Sequence, residues 1–353
     1  MKKNLPFRLF TLALCLVTLL GAGCATSSVN IQILVPAHIN VPSDIQMLAL
    51  VNRYRPAKGE GLLNVLEGAL SGENIGQDRR SAESALGGLT NALAGSPRFR
   101  ITRPAIELKG TGRGDFPAPL PDYEVKDICA KANSQALVTI EAFDSDQSIG
   151  ITPEQRERKL KSGEVQKYTV FCAVKSIRVT VGWRMYDAYD GSLVDEYRMI
   201  ETVNFRAEGN TDGQARSNLP RGESVTREIG AVTGNRYSQR ISPTWLWANR
   251  MYYKRGNDFL KAGKTAVKFQ NWESAEENWR SALDDAKLKN QGRAMYNLAL
   301  AAEMRGELQE ALENARLAGQ KYNNKKALSY ASRLRARIRD QELLSEQMEG
   351  APD

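Results

Sequence analysis

Ile177-Arg178-Val179-Thr180-Val181-Gly182-Trp183-Arg184-Met185-Tyr186-Asp187-Ala188-Tyr189-Asp190-Gly191-Ser192-Leu193-Val194-Asp195-Glu196-Tyr197-Arg198-Met199 carries an apolar residue at every second position of its first arm. Side chains of a strand alternate between faces, so Ile177, Val179, Val181, Trp183 and Met185 line one side of a sheet. Asp190-Gly191 supplies the positive φ that a tight reversal needs, and Tyr197, Met199, Val203 and Phe205 return on one face. The segment is a long antiparallel hairpin with one buried side. Just before it, Tyr168, Val170, Cys172 and Val174 alternate in the opposite phase, and the slip at Lys175-Ser176 predicts a bulge or bend.

Working toward the N-terminus, Val29 to Val35 and Ile45 to Val51 read as strands, the second apolar enough for a buried place in a sheet. Gly61 to Leu70 and Ser81 to Leu93 have helical spacing, with Ala82, Ala85, Leu86, Leu89 and Leu93 on one side. Arg98 to Thr102 is a short strand, Tyr123 to Ala132 a helix and Ala136 to Phe143 a strand. The charged run Pro153 to Glu164 reads as an excursion between strands. After the hairpin, the polar stretch Ala207 to Arg221 precedes a helix from Ser224 to Arg240. Interleaved strands and helices predict an α/β domain, a mixed sheet with helices, over residues 29–244.

From Trp245 the pattern becomes alanine-rich and helical. Phe259, Ala262, Gly263 and Ala266 are followed by Ala275, Trp279 and Ala282, while Met295, Leu298, Ala299 and Ala302 are followed by Gly306, Ala311, Ala315 and Ala318. Ala275 and Ala311, like Ala282 and Ala318, stand thirty-six residues apart. This resembles the tetratricopeptide pattern, whose period is about 34 residues and whose small residues let paired helices approach. The resemblance implies an all-α repeat domain over residues 245–348 with these positions in its core, a closing helix from Lys325 to Met348, and a tail at 349–353. Trp245, Trp247, Tyr252 and Tyr253 are expected at helical spacing in an interdomain core, and Trp272 with Trp279 in the repeat core.

The first residues speak of location. Lys2, Lys3 and Arg8 precede the apolar run Leu9 to Leu20, and Gly21-Ala22-Gly23 leads into Cys24. A basic head, a short apolar run and small residues make an export signal, and the run is shorter than the roughly 20 residues that span a bilayer. The segment resembles the bacterial lipobox, with Leu20 one place further back than that pattern has it, so residues 1–23 read as a signal peptide and 24–28 as a lipidated N-terminus and tether. An ordinary signal peptide with an incidental Cys24 is the alternative. Acyl chains on Cys24 would anchor the chain in a membrane. Ala25 in place of an aspartate, and the uncharged Thr26-Ser27-Ser28, point by analogy with lipoprotein sorting to the outer membrane and its periplasmic face.

The formal charge of +8 falls to +5 once Lys2, Lys3 and Arg8 leave with the signal. Lys325, Lys326, Arg333, Arg335, Arg337 and Arg339 spread over more than one helical face, which suits a solvated surface and no nucleic acid. Cys15 leaves with the signal, so Cys129 and Cys172 stay in the folded body, where they can pair in an oxidising compartment or rest as buried thiols.

Ile241-Ser242-Pro243-Thr244-Trp245 with Arg250-Met251-Tyr252-Tyr253, between a mixed domain and closing helices, resembles an uncharacterised family of Bacteroidota lipoproteins. Met185 to Leu193 is more distantly similar to a hairpin in the small α/β domain of the curli-secretion lipoprotein, and of an outer-membrane lipoprotein that activates a peptidoglycan synthase. The resemblance implies location and architecture without a mechanism.

Chemistry is sparse. His38 is the single histidine, so a Ser-His-Asp triad would have to use it, and Cys129 with Cys172 lacks zinc-ligand spacing. Gly110-Thr111-Gly112-Arg113-Gly114-Asp115 lacks the Lys-Ser/Thr ending of a phosphate loop and reads as a flexible loop. Asp144 with Asp146, and Asp187 with Asp190, can serve as carboxylate pairs or as strand-end and turn residues. No cofactor or metal is expected. The reading is a non-enzymatic envelope lipoprotein, anchored through its acyl groups, that recruits an envelope protein through its helical repeats. The alternatives are a homo-oligomeric subunit of a secretion or assembly complex, and a peptidoglycan or carbohydrate binder or hydrolase.

Overall fold

The computed structural model describes residues 25–54, 76–349 and 351. They form two compact units, one of Pro36–Thr244 with the residues from Leu344 onward, the other of the residues up to Val35 with Trp245–Leu343.

The first unit is built on a five-stranded sheet of β2 (Met47–Asn52), β3 (Arg100–Thr102), β4 (Ala136–Lys159), β5 (Val165–Asp187) and β6 (Leu193–Gly209), in the order β3-β2-β4-β5-β6. β2 is parallel to both neighbours, β4 through β6 are antiparallel, and the sheet is mixed as the sequence predicts. Helix α1 (Gln77–Leu93) links β2 to β3, and α2 (Asp122–Ala132) links β3 to β4. A short α3 (Asp212–Ser217) and α4 (Gly222–Ile241) follow β6. α1 and α4 bury Ala85, Leu86, Leu89, Ile229 and Tyr237 against Val138, Ile177, Val179, Val181 and Trp183. On the opposite face α2 packs Val125, Ile128 and Cys129 over Ala49, Val51 and Leu137. With a helix layer on each side, β2 needs apolar residues at every position, which explains its unbroken run.

α1 and α4 meet backbone to backbone. A methyl group on Gly234 would overlap the Ala85 carbonyl, one on Gly230 would sit 2.5 Å from the Ser81 carbonyl oxygen, and one on Gly88 would overlap Ala231. Small residues on both helices permit this approach, and nothing in the hydrophobic spacing of α4 signals it.

Two expectations change here. Pairing of β5 runs without a break through Lys175 and Ser176 on both sides, so there is no bulge there. Its phase change arises because the two faces are covered over different lengths: helices cover Ala173 to Met185, whereas Val170 and Cys172 are buried on the other face, Cys172 under Arg156 and Arg206. Register shifts lie instead in β4, between Ile140 and Ala142, and in the β5–β6 pair at Met185 and Tyr186. Pro153 to Glu164 is no excursion, because β4 continues to Lys159 and turns at Gly163 (φ 90°) into β5. Cross-strand polar pairs sustain this arm, with Arg158 donating to Gln166 at 2.8 and 2.7 Å and Gln155 to Thr169 at 2.9 Å. Gly191 takes the positive φ expected of the β5–β6 turn, at 84°.

The second unit pairs β1 (Thr26–Val35) with β7 (Thr244–Tyr253) in a two-stranded ribbon. Val29 to Val35 therefore belongs with the helical unit, not with the mixed sheet. The helices are α5 (Asp258–Lys268), α6 (Trp272–Ser281), α7 (Leu288–Arg305), α8 (Leu308–Gln320) and α9 (Lys325–Gln347), the last contributing its final residues to the first unit. Asn257 and Asn271 cap α5 and α6 by accepting from the third following backbone N–H, and Gly306, in the left-handed region, ends α7. α5 with α6 and α7 with α8 form hairpins across short links.

Candidate functional site

In the helical unit, Ala275, Trp279, Ala282, Leu298, Ala299, Ala311, Ala315 and Ala318 are buried, and so is Gly263, where a side chain would collide with the Trp279 ring. Three other predicted core residues are not. Phe259 is 47% exposed, Ala262 faces solvent, and Gly306 is an exposed cap. On α5 the buried stripe keeps the expected Gly263 and Ala266 but takes Leu260 and Val267 in place of Phe259 and Ala262. The sequence reading followed the aromatic residue, while the helix turned it outward.

Trp245 and Trp247 lie on a strand, not a helix, and are 51% and 70% exposed, so they form no interdomain core. Two residues apart on β7, they share one face. Tyr252 and Tyr253 point inward within the helical unit, Tyr252 6.4 Å from Trp279 and Tyr253 5.4 Å from Tyr296 between ring centroids.

At the centre of this unit sits Glu303, fully buried on α7. Arg250 of β7 grips it with two 2.8 Å hydrogen bonds, Arg337 donates at 2.6 Å and the Tyr330 hydroxyl at 2.5 Å. These donors outweigh the desolvation of the carboxylate and hold its pKa below the usual range. Arg337, read from sequence as solvated, is thus a structural ion. Ala25, at the entrance to β1, accepts a 3.0 Å hydrogen bond from the Lys254 N–H, which ties the first described residue to this unit. Cys24 lies outside the described residues, as does the predicted helix at Gly61 to Leu70.

In the mixed unit a second buried carboxylate, Glu141, occupies the β4 bulge. It accepts from Arg53 at 2.8 Å, Tyr186 at 2.9 Å and Thr139 at 2.6 Å, with Arg184 at 3.7 Å. Burial and Glu141 together push the Tyr186 hydroxyl up to about 12. Arg53 also donates to the carbonyls of Lys109 and Ala118, and Gly110 lies so close to the Arg53 carbonyl that no side chain fits. The Gly110 to Asp115 segment is therefore clasped, not flexible. It follows the end of β2 at Arg53 and runs beside β4, where the Phe143 N–H donates to the Arg113 carbonyl at 3.3 Å and Gly114 packs on Asp144.

Cys129 and Cys172 are free, buried thiols, one on α2 and one on β5, so the disulfide is not made. His38 is exposed. Asp187 and Asp190 accept the backbone N–H groups of Tyr189 and Ser192 and build the turn. Asp144 and Asp146 flank Ser145, whose hydroxyl donates to Asp78 at the start of α1. Burial, aided by Asp144 and Asp146, raises the Asp78 pKa to about 7. Among the described residues no group of three or more His, Cys, Asp or Glu is placed to hold a metal, and no helix is long and apolar enough to cross a membrane.

A cavity of about 770 Å3 opens between β4, β5 and the start of α4. Lys175, Arg216, Arg221, Arg227, Gln77 and Gln147 line it. No sequence motif signals it, because its cations come from β5, α3 and the start of α4 with its N-cap residue Arg221.

The arrangement defines a two-part protein, a doubly covered mixed sheet and a unit of helical hairpins. The chain belongs to the family described as a domain of unknown function (DUF8603), whose model matches residues 45–253, more than half its length. A second model, described as a domain of unknown function (DUF6340), matches residues 261–336. Neither description names a lipoprotein or a tetratricopeptide repeat. Among solved structures the chain is similar to a PelC dodecamer from Paraburkholderia phytofirmans, at 12% identity and a TM-score of 0.25 over 61% of this chain and 99% of that one. It is also similar to a minor lipoprotein from Acinetobacter baumannii, at 11% identity and a TM-score of 0.20 over 57% and 98%. No curated protein matches it.

Proposed function

We propose that the protein is a non-enzymatic cell-envelope lipoprotein, acylated on Cys24, that holds a tetratricopeptide-like unit at the periplasmic face of the outer membrane and recruits an envelope protein there. The observation that carries this reading is the Lys254–Ala25 hydrogen bond. It leaves a single peptide link between the acyl acceptor and a folded strand, so lipid on Cys24 would hold the helical unit against the bilayer instead of on a long tether. The thirty-six-residue spacing of Ala275 and Ala311, both buried in second helices of their hairpins, supports repeat packing. Trp245 and Trp247 add exposed aromatic area of the kind enriched at interfaces.

The test has two arms. Mass spectrometry of the membrane-extracted protein should find acyl groups on Cys24, and Cys24→Ser should release the chain to the soluble fraction. In-cell crosslinking should then capture a partner with the native chain that is lost from Trp245→Ser/Trp247→Ser, whose thermal melt is expected to be unchanged. Self-crosslinks alone would replace recruitment with homo-oligomer assembly.

A further inference from the structure

We propose that the cavity between β4, β5 and the start of α4 binds a small hydrophilic organic anion, a saccharide carrying a phosphate or a carboxylate. This site is independent of the lipoprotein reading.

Charge is the first ground. Four cations line the cavity, Lys175, Arg216, Arg221 and Arg227, against one carboxylate, Glu223. That carboxylate is engaged by Arg80 at 2.6 Å. Among the described residues the Arg221 and Arg227 side chains make no ion pair, and Arg216 has only Asp212 at 3.8 Å. The lining thus carries a net positive charge.

Lys175 is the second. It sits inside the sheet at 7% exposure and donates to the Pro220 carbonyl at 2.7 Å. A neutral donor could tie down that carbonyl equally well, so the tether does not account for a charge. Taking an ammonium out of water without a counter-charge is costly. Burial and the neighbouring Arg216 accordingly depress its pKa. An anion in the cavity supplies the missing charge.

Shape and donors complete the case. The first turn of α4 has no side-chain cap, so the N–H groups around Gly222 add oxyanion donors. Gly222 lies against the end of the Gln147 side chain on one wall. Guanidinium forks suit phosphate and carboxylate oxygens. A volume of about 770 Å3 exceeds what a bare oxyanion fills. Polar side chains predominate in the lining, with Ile149 the apolar exception, which suits a polar ligand, and the Ser224 hydroxyl, which donates to the Arg221 carbonyl at 2.8 Å, keeps its oxygen as an acceptor for a sugar hydroxyl.

Calorimetric titration of the full mature chain in detergent with N-acetylglucosamine 1-phosphate, N-acetylmuramic acid, neutral N-acetylglucosamine and inorganic phosphate tests this. At least one acidic sugar should bind at least about tenfold more tightly than the neutral sugar, a gap of about 1.4 kcal/mol, and Arg221→Gln or Arg227→Gln should remove most of that gap. Lys175→Met should abolish it; if that variant misfolds, the two exposed arginines still decide. Equal affinity for inorganic phosphate and sugar phosphate would overturn the saccharide class. Equal affinity for acidic and neutral sugars, insensitivity to both arginine changes, or no binding up to about 10 mM would overturn the site.

Discussion

The mixed-sheet unit and the helical unit each bury one glutamate among arginines, yet they depend on it differently. Glu141 lies at the border of a core filled by Trp183, Phe143, Ile177, Val179 and Leu48, and it mainly fastens the loop carrying Lys109 and Ala118 through Arg53. Glu303 lies among Ala299, Ala302, Ala311, Ala315, Ala318, Ala327 and Ala331. Alanine lets helices approach, but each buries little area, and hydrophobic stabilisation scales with area at about 25 cal/mol per Å2. An alanine-packed unit therefore leans on its few large groups: the tyrosines 253, 296 and 330, Trp279 and the Glu303 network. The same kind of ion pair is a local clasp in one unit and a keystone in the other.

The sharpest way to break this contrast is to remove both carboxylates in turn. Glu303→Ala leaves Arg250 and Arg337 without a counter-ion and should cost about 3 to 5 kcal/mol, with hydrogen exchange accelerating throughout α7, α8 and α9. Glu141→Ala should raise exchange chiefly around 104–121 while β4 and β5 stay protected. If both spread globally, the distinction fails.

Asp78 offers the next largest effect and runs in the opposite sense. Its folded pKa of about 7 lies above the ordinary aspartate value of 3.8, so the folded chain holds a proton that the unfolded chain has lost. Stability of the mixed unit should fall as pH rises from about 4 to about 7, by roughly 3 to 4 kcal/mol at about 1.4 kcal/mol per pKa unit. Asp78→Asn should flatten that dependence and raise the melting temperature at pH 8, read by scanning calorimetry. A steeper loss in the variant would reject the assignment.

Gly234→Ala should cost about 1 to 3 kcal/mol by overpacking α4 against α1, whereas Gly87→Ala, open to solvent on the same pair of helices, should be neutral or stabilising in chemical denaturation. Smallest of all, Trp247→Ser should change stability by less than about 0.5 kcal/mol, because its ring is mostly exposed.

How far the sequence carried these readings follows from the range of the forces involved. Alternation from Ile177 to Met185, the Asp190-Gly191 turn and the apolar run of β2 are local patterns, and each appears in the fold where its period places it. The same reasoning put a bulge at Lys175 because a phase change looks identical whether a strand bends or its two faces are covered over different lengths. It placed Phe259 inside because hydrophobicity alone does not say which way a helix is turned. The cationic cavity could not be read at all, since Lys175, Arg216, Arg221 and Arg227 converge only when β5, α3 and α4 pack together.

By itself, the sequence determined the mixed strand-and-helix character of the first part and the helical character of the last, because periodicity and composition act over a few residues. Tertiary structure alone decided that β1 joins β7, with Asn30 meeting Asn249 across 219 residues, that Glu303 gathers Arg250, Arg337 and Tyr330, and that the bulge falls at Glu141. Those choices belong to pairings between distant segments, and such pairings form where the whole chain satisfies its buried charges and backbone groups at once.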